Sequence, residues 1–423
     1  MKPKIKILIL ILTFALFNRC NKDDEIKSGI QIPDNNFLQA LIIRGYDLNN
    51  DSIISKDEAE SVTFLNLNEA NISDLSGIEN FTNLETLLCN NNTISSIDVS
   101  KNSTLKILDC SRNKISSINF DNTLLEELNC NNNNLDNLTV SGVPALKKLD
   151  CNTNRISVLD VSLNNNLLVI DCENNKLKNL DLSGCNALNT LNCINNQLTS
   201  LDVSKNLKLT YLNCNANILS NIDVTNNIAL EYLNCFNNHN ITALNVTKNP
   251  LLKYLACGPC LIKSLDVSKN IMLEELYCAN TELDALDVSK NKTLTELYCV
   301  YSNLTELDIS KNTALKELYC QFNSLSNLDV SKNTNLTSLS CHSNNLTNLD
   351  LTNNNLLRAL VCSANPLTTL NVSQNKKLSI FWIEDMPALK KVCVWDLPFP
   401  PEQLMFKKEN SPNVYFSTDC KDE

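Results

Sequence analysis

The chain has 423 residues and a formal net charge of −11 at pH 7, with 19 cysteines but only 2 histidines. The negative charge argues against nucleic-acid binding, because phosphate backbones demand clustered Lys and Arg side chains. His239 and His342 lie far apart in the sequence, which is a poor basis for general acid–base catalysis or for a zinc site. We therefore predict a protein that is not an enzyme and does not bind nucleic acid.

The amino terminus has the pattern of an export signal. A basic stretch precedes the apolar run ILILILTFALF, which is too short to span a bilayer comfortably. Cys20 and the acidic residues after it resemble the signal of a Bacteroidetes-type surface lipoprotein, in which the peptide is cut before the cysteine and that cysteine is lipidated. The resemblance implies a signal peptide at 1–19, lipidation of Cys20, an acidic tether at 20–32, and an outer-membrane location facing the cell exterior. An ordinary cleaved secretion signal is the alternative, and in the lipoprotein case the acyl chains alone would contact the membrane.

Residues 33–61 are predicted to form a helical cap around a loop of EF-hand spacing. The segment DLNNDSIISKDE at 47–58 follows the pattern D-x-[DN]-x-[DN]-G-x₅-E, except that Ser52 stands where glycine favours the sharp turn. We expect weak, structural Ca²⁺ binding; an Asp/Asn-rich turn without an ion is the alternative. The predicted ligands are Asp47, Asn49, Asp51, Ile53 through its backbone carbonyl, Ser55 and Glu58.

Cysteines then recur from Cys89 to Cys362, almost always at a spacing of 21 residues. The surrounding pattern is L-x-x-L-x-C-x-x-N-x-L-x-x-L-D-V-S-x-N-x-x. In a strand, alternate side chains point to opposite faces, so the Leu and the Cys of L-x-C share the inward face. No single unit of this length can bury such a core alone, so neighbouring units must stack.

This pattern resembles the leucine-rich repeat, and its nested second half resembles a 21-residue bacterial variant found in surface proteins. The resemblance implies a solenoid of about sixteen coils at 62–388 with a parallel β-sheet face, followed by an irregular C-terminal cap at 389–423. We predict that the repeated thiols are small packing groups, since bridges between parallel neighbours would distort the sheet. The two asparagines of each coil are expected to bond backbone groups of the turns.

Two cysteines, Cys393 and Cys420, lie in the C-terminal cap outside the repeat. In an exported protein we predict a disulfide between them, which would stabilise the cap by roughly 3 kcal/mol. Two free thiols are the alternative.

Outward strand positions in the middle of the array are rich in aromatic side chains. Stacked tyrosines stabilise neighbouring strands, but they also give large, rigid contact surfaces for recognition. We predict a surface-exposed binding protein that recognises a host or neighbouring-cell protein or glycan through its strand face. The alternative is a structural spacer or assembly protein of the cell envelope without a specific ligand. The predicted contact residues are Tyr211, Tyr232, Tyr254, Tyr277, Tyr298, Tyr319, Phe236 and Tyr301.

Overall fold

The computed structural model describes residues 29–121 and 124–420. The predicted signal peptide and Cys20 therefore lie outside the described residues. Two helices form the N-terminal cap, Asn35–Ile43 and Lys56–Ser61. Asp34 caps the first helix by accepting hydrogen bonds from the backbone amides of Asn36 and Phe37. The buried side chains of the first helix, Phe37 among them, close the first end of the core.

A parallel sheet of 17 strands runs the length of the solenoid, and we call it the main sheet. Each strand is three residues long, because each coil turns away again after its L-x-C segment. At about 4.8 Å per strand, the sheet extends on the order of 75 Å. Its strands are Phe64–Asn66, Thr86–Leu88, Ile107–Asp109, Glu127–Asn129, Lys148–Asp150, Val169–Asp171, Thr190–Asn192, Tyr211–Asn213, Tyr232–Asn234, Tyr254–Ala256, Glu275–Tyr277, Glu296–Tyr298, Glu317–Tyr319, Ser338–Ser340, Ala359–Val361, Ile380–Trp382 and Met405–Lys407.

The leucine-rich repeat solenoid implied by the resemblance is confirmed. The central residue of each repeat strand points inward and pairs in register with its equivalent in the next coil, as Leu276, Leu297 and Leu318 do. Each ladder cysteine follows at the next inward position and is buried as an unpaired thiol. A single core of leucines, other aliphatic side chains and cysteines therefore runs through the coils, and each coil depends on its neighbours.

The asparagines form two ladders that tie adjacent coils together. In the first, Asn175 donates to the carbonyls of Cys151 and Cys172 and accepts from the amide of Ile156. In the second, Asn291 donates to the carbonyls of Val267 and Asn270. The predicted bonding of turn backbone groups is thus confirmed. The bond from Asn175 to Cys172 lies within one coil, whereas the others join one coil to the one before it.

The second face of the solenoid carries three short parallel sheets. Two of them have two strands each, Ser96–Asp98 with Ser117–Asn119 and Asn137–Thr139 with Val158–Asp160. The third lies at the C-terminal end and contains Thr369–Asn371, Lys391–Cys393 and Tyr415–Ser417.

The C-terminal segment is more regular than the irregular cap expected at 389–423. It contributes the last strand of the main sheet, Met405–Lys407, as well as two strands of the second face. Coil spacing lengthens here, phenylalanine replaces the inward leucine at 381 and 406, and Ile383 and Lys408 stand where the ladder has cysteine, so the repeat pattern no longer marks the coil. The ring of Phe399 contacts those of Phe381, Phe406 and Phe416 at centroid distances of 6.3, 5.7 and 4.7 Å, which closes the end of the core.

Candidate binding surface

Six tyrosines of the main sheet form one continuous stack across six consecutive strands, and we call it the tyrosine stack. Neighbouring rings lie 4.3, 4.2, 5.3, 4.6 and 4.4 Å apart between centroids. Four of these five contacts are stacked, and the third is tilted by 36°. The structure therefore brings six of the eight predicted contact residues together. They are Tyr211, Tyr232, Tyr254, Tyr277, Tyr298 and Tyr319.

The stack is continuous although its two halves occupy different positions on the strands. Tyr254 pairs in register with Glu275, whereas Tyr277 pairs with Ala256. The two rings therefore meet on a diagonal between adjacent strands. Ala256 is an outward position with 2% exposure, and its small side chain leaves room for the rings to meet above it. Both groups of tyrosines can be seen in the sequence. That they form one stack depends on Ala256 and on the register of its strand with the next one.

In the three strands after that of Tyr254, glutamate occupies the strand position that tyrosine occupies in the three strands before them. Glu275, Glu296 and Glu317 pair directly across three neighbouring strands. The hydroxyl of Tyr277 donates to Glu296 at 2.6 Å and to Glu275 at 3.1 Å, and the hydroxyl of Tyr298 donates to Glu317 at 2.8 Å. Sequence analysis missed these carboxylates, although their fixed place two residues before each tyrosine was a readable signal.

These contacts keep the phenols protonated. Burial first, and then the hydrogen bond to Glu296 and the nearby carboxylate charges, raise the pKa of Tyr277 far above its ordinary value. Burial and the hydrogen bond to Glu317 act in the same direction on the pKa of Tyr298. The surface therefore presents neutral hydroxyls beside carboxylates rather than phenolates.

A shorter aromatic group lies on the turns beside the tyrosine stack. Tyr301 and Phe322 stack at 4.0 Å, and the ring of Phe322 meets His342 edge-on at 4.6 Å. Tyr301 and Phe322 both have positive φ, in turns where many other coils have Asn, and their side chains are 51% and 37% exposed. Phe236 was also predicted as a contact residue. Within the described residues it makes no ring contact with the tyrosine stack or with the Tyr301–Phe322–His342 group, so it belongs to neither.

The EF-hand-like loop is organised by hydrogen bonds from its own backbone. Glu58 accepts from the amides of Leu48, Asn49 and Ser55 and from the Ser55 hydroxyl. Asp47 accepts from the amides of Asp51 and Ser52. Ser52 adopts a φ of 65° in place of the expected glycine.

The carboxylates of Asp47 and Glu58, two of the predicted ligands, thus accept hydrogen bonds from donors within the loop. No group of three or more His, Cys, Asp or Glu side chains in the described part of the chain is arranged to hold a metal ion. Calcium binding stays a prediction.

The ladder cysteines are unsuited to nucleophilic chemistry. Burial raises the pKa of the thiols, that of Cys299 to about 12, so the reactive thiolate is suppressed. Cys257 and Cys260 have the C-x-x-C spacing of redox pairs, but both are buried, and burial raises the pKa of each. Cys185 and Cys260 replace ladder asparagines, and Cys185 donates to the Val161 carbonyl where an asparagine would.

The structure joins Cys393 and Cys420 in a disulfide, with their Cα atoms 5.5 Å apart. Cys393 lies in the C-terminal sheet of the second face. The bond therefore ties the last described residue of the chain back to the final coils.

Comparison with solved structures shows what this architecture is similar to. The functional domain of InlJ from Listeria monocytogenes, which includes a cysteine ladder, has a TM-score of 0.72 and 32% sequence identity over 85% of this chain and 79% of that one. A leucine-rich repeat protein from Leptospira interrogans has a TM-score of 0.58 and 19% identity over 78% of this chain and 92% of that one. YopM from Yersinia enterocolitica has a TM-score of 0.52 and 20% identity over 85% and 92%.

The chain therefore belongs to the leucine-rich repeat family, and it shares the cysteine ladder with the Listeria domain. No protein-family description and no curated protein matches the sequence. Within residues 29–121 and 124–420, no helix is both long enough and apolar enough to cross a membrane.

Proposed function

We propose that this protein is a cell-surface binding protein that engages another protein through the tyrosine stack. The observation that carries the proposal is the confinement of the stack. Every coil of the main sheet has the same outward positions, yet only six consecutive strands place tyrosine there. Side-chain stacking that served stability alone would benefit all the coils equally.

Two physical features support recognition by this face. The tyrosines are held in place by their neighbours and, for Tyr277 and Tyr298, by hydrogen bonds to glutamates. Binding would therefore cost little side-chain entropy. Tyrosine is also enriched among residues that contribute most to protein–protein affinity.

The location is part of the proposal. The lipoprotein-like signal would anchor the solenoid to the outer membrane through lipidated Cys20, with the tether and the array extending from the cell. The partner would then be a protein on a host or neighbouring cell, and no chemical step is assigned to the solenoid itself.

The test is capture of cell-surface proteins by the purified protein, with two variants of the stack. Tyr277/Tyr298/Tyr319→Ser removes three rings, whereas the same triple substitution to Phe keeps the stack and removes only the hydroxyls. Circular dichroism and the unfolding midpoint must first show that both variants are folded.

We expect the wild-type protein to capture a defined partner and the Ser variant to lose it. Retention by the Phe variant would assign the contact to the rings, and loss would assign it to the hydroxyls and their glutamates. Equal capture by all three proteins would refute the tyrosine stack as the site. If the wild-type protein captured nothing, the envelope-spacer alternative would replace the proposed function.

A further inference from the structure

We infer that the partner presents a cationic protein segment, with Lys or Arg side chains that lie along the row formed by Glu275, Glu296 and Glu317. This inference rests on the proposed function and specifies the chemistry of its partner. Three observations carry it: the orientation of the rings, the uncompensated charge of the row, and the charge compensation of neighbouring columns.

The orientation of the rings disfavours a partner that stacks on them. In four of the five contacts the ring centroids lie 4.2–4.6 Å apart and the planes are within 27° of parallel, so these rings lie face to face. At the remaining contact, Tyr254 and Tyr277 lie 5.3 Å apart and are tilted by 36°. Along the face-to-face contacts, solvent therefore meets ring edges and hydroxyls, and a sugar ring or a base has less ring face to stack on than separate tyrosines would offer. Along its length the stack therefore offers a partner tyrosine hydroxyls for polar contacts and ring edges for apolar contacts.

The glutamate row carries like charges in direct register. Neighbouring parallel strands lie about 4.8 Å apart, and Glu275, Glu296 and Glu317 pair residue by residue. Like charges directly opposite one another are destabilising. None of the ion pairs within residues 29–121 and 124–420 includes these three glutamates, and tyrosine hydroxyls donate hydrogen bonds to them instead.

In the adjacent column of the same sheet, glutamates and lysines of neighbouring coils form ion pairs, so like charges do not face one another there. One position earlier on the strands, Lys106 pairs with Glu85 at 3.0 Å and Lys147 with Glu126 at 2.7 Å. Lys253 likewise pairs with the glutamate of the preceding coil, Glu231, at 2.7 Å. The solenoid therefore compensates charge within a column where nothing else supplies it.

The aspartates of the repeated L-D-V-S segment form an acidic stripe on the second face, and the charge of this stripe is compensated from within the chain. Asp287 accepts a hydrogen bond from the amide of Ser289 at 2.8 Å. Hydrogen bonds to Ser289 and, to a lesser extent, the charge of Lys290 lower the pKa of Asp287. The repeat places a lysine three residues after most of the stripe's aspartates. The glutamate row has no lysine or arginine at its own strand position in the adjoining coils, where Tyr254 and Ser338 stand. It also lacks the lysine three residues later, where the chain has Cys278, Cys299 and Cys320.

A protein cation fits the row better than a metal ion does. The row is linear and half-buried, and no group of three acidic side chains in the described residues is arranged around one point. Arg and Lys side chains from one segment reach successive carboxylates without that convergence, and Arg pairs with a carboxylate through two parallel hydrogen bonds. The tyrosine hydroxyls hold the glutamates in place for such contacts.

The experiment measures binding of a deca-arginine peptide to the whole protein by fluorescence anisotropy. The test variant is Glu275/Glu296/Glu317→Gln, which keeps side-chain shape and an oxygen acceptor for the tyrosines. The matched control is Asp287/Asp308/Asp329→Asn, which removes the same charge from the second face. A deca-glutamate peptide, a neutral oligosaccharide and CaCl₂ are the alternative ligands, and each variant also enters the capture experiment.

We expect the Gln variant to bind deca-arginine about tenfold more weakly than wild type, because three partly exposed ion pairs are lost. The Asn control should stay close to wild type, and raised salt should weaken binding. Equal losses in the two variants would show attraction by net charge alone and overturn the inference. Binding of the oligosaccharide or calcium, but not the peptide, at the row would overturn it as well.

The capture experiment separates this inference from the proposed function. A partner that is lost with the Tyr→Ser variant but retained in full by the Gln variant would refute the cationic segment and leave the tyrosine stack as the site. A partner lost with both variants supports both. Capture that neither variant changes refutes both.

Discussion

Removing one rung of the second asparagine ladder tests how the coils are held together. Asn291 is fully buried and donates to the carbonyls of Val267 and Asn270 at 3.0 and 2.8 Å. Asn291→Ala removes both bonds between one coil and the preceding one. We expect the free energy of unfolding to fall by about 2 kcal/mol, mainly because two buried hydrogen bonds are lost.

Each of the two carbonyls keeps one partner, because the amide of Asn270 donates to Val267 and that of Leu273 donates to Asn270. The loss is therefore the net value of two hydrogen bonds, about 1–3 kcal/mol together, rather than the cost of two orphaned groups. The small cavity left by the missing amide adds to the loss. The Oδ1 atom of Asn291 is buried without a partner, so its removal offsets part of the loss.

The assay is urea unfolding followed by circular dichroism, with amide hydrogen exchange to locate the weakened coils. Asn303→Ala is the matched control, because the Asn303 side chain is exposed and should change stability by no more than about 0.5 kcal/mol. In the reverse direction, Cys185→Asn should stabilise the protein, since asparagine supplies a second donor where Cys185 supplies one. An Asn291→Ala protein no less stable than the control would refute the role given to the ladder.

Three further predictions concern titratable groups. Glu58→Gln should lower the melting temperature with calcium or with a chelator, because the amide nitrogen would face either the backbone donors of Leu48 and Asn49 or the backbone donor of Ser55. A calcium-dependent rise in wild type that the variant lacks would instead support the predicted ion site. A thiol reagent should leave the ladder cysteines unmodified until the chain unfolds, because burial raises the pKa of the thiols; rapid labelling of Cys299 in the native state would contradict their packing role. The pKa of Tyr277 is raised in the folded chain, so its stabilising contribution is present below the unfolded value near 10 and is lost as pH rises through the folded value. The phenolate absorbance of Tyr277 should therefore appear only well above pH ~10, and Tyr277→Phe should lack that absorbance change. Ionisation of Tyr277 at about pH 10 would contradict its contact with Glu296.

The same carboxylate of Glu58 contributes to acid sensitivity. Burial alone would raise the pKa of Glu58, but hydrogen bonds from Ser55, Leu48 and Asn49 outweigh it, and the pKa is lowered. Its stabilising effect is present above the unfolded value near 4.3 and is lost as pH falls through the folded value. The N-terminal cap is therefore expected to loosen as pH falls through the folded pKa of Glu58, which hydrogen exchange of the two cap helices would show.

Much of the fold could be predicted because its information is local and repeated. Alternation within three residues puts Leu297 and Cys299 inside and Tyr298 outside, and the 21-residue period repeats that decision coil after coil. The C-terminal coil could not be predicted in the same way. Its strand Met405–Lys407 pairs with Ile380–Trp382 at a longer spacing and has Phe406 at the inward position, so neither the period nor the residue types identified it.

The sequence by itself thus determined the solenoid, the inward thiols, the asparagine ladders and the presence of tyrosines on outward positions. Those features follow from side-chain alternation and turn chemistry, which act between residues close in the chain. Only the tertiary structure decided that Tyr254 and Tyr277 meet across two strand positions, that the other neighbouring rings lie face to face, and that Tyr277 holds Glu296 of the next coil. The physical reason is that these contacts join residues of different coils, where strand register, ring rotation and the space above Ala256 act together.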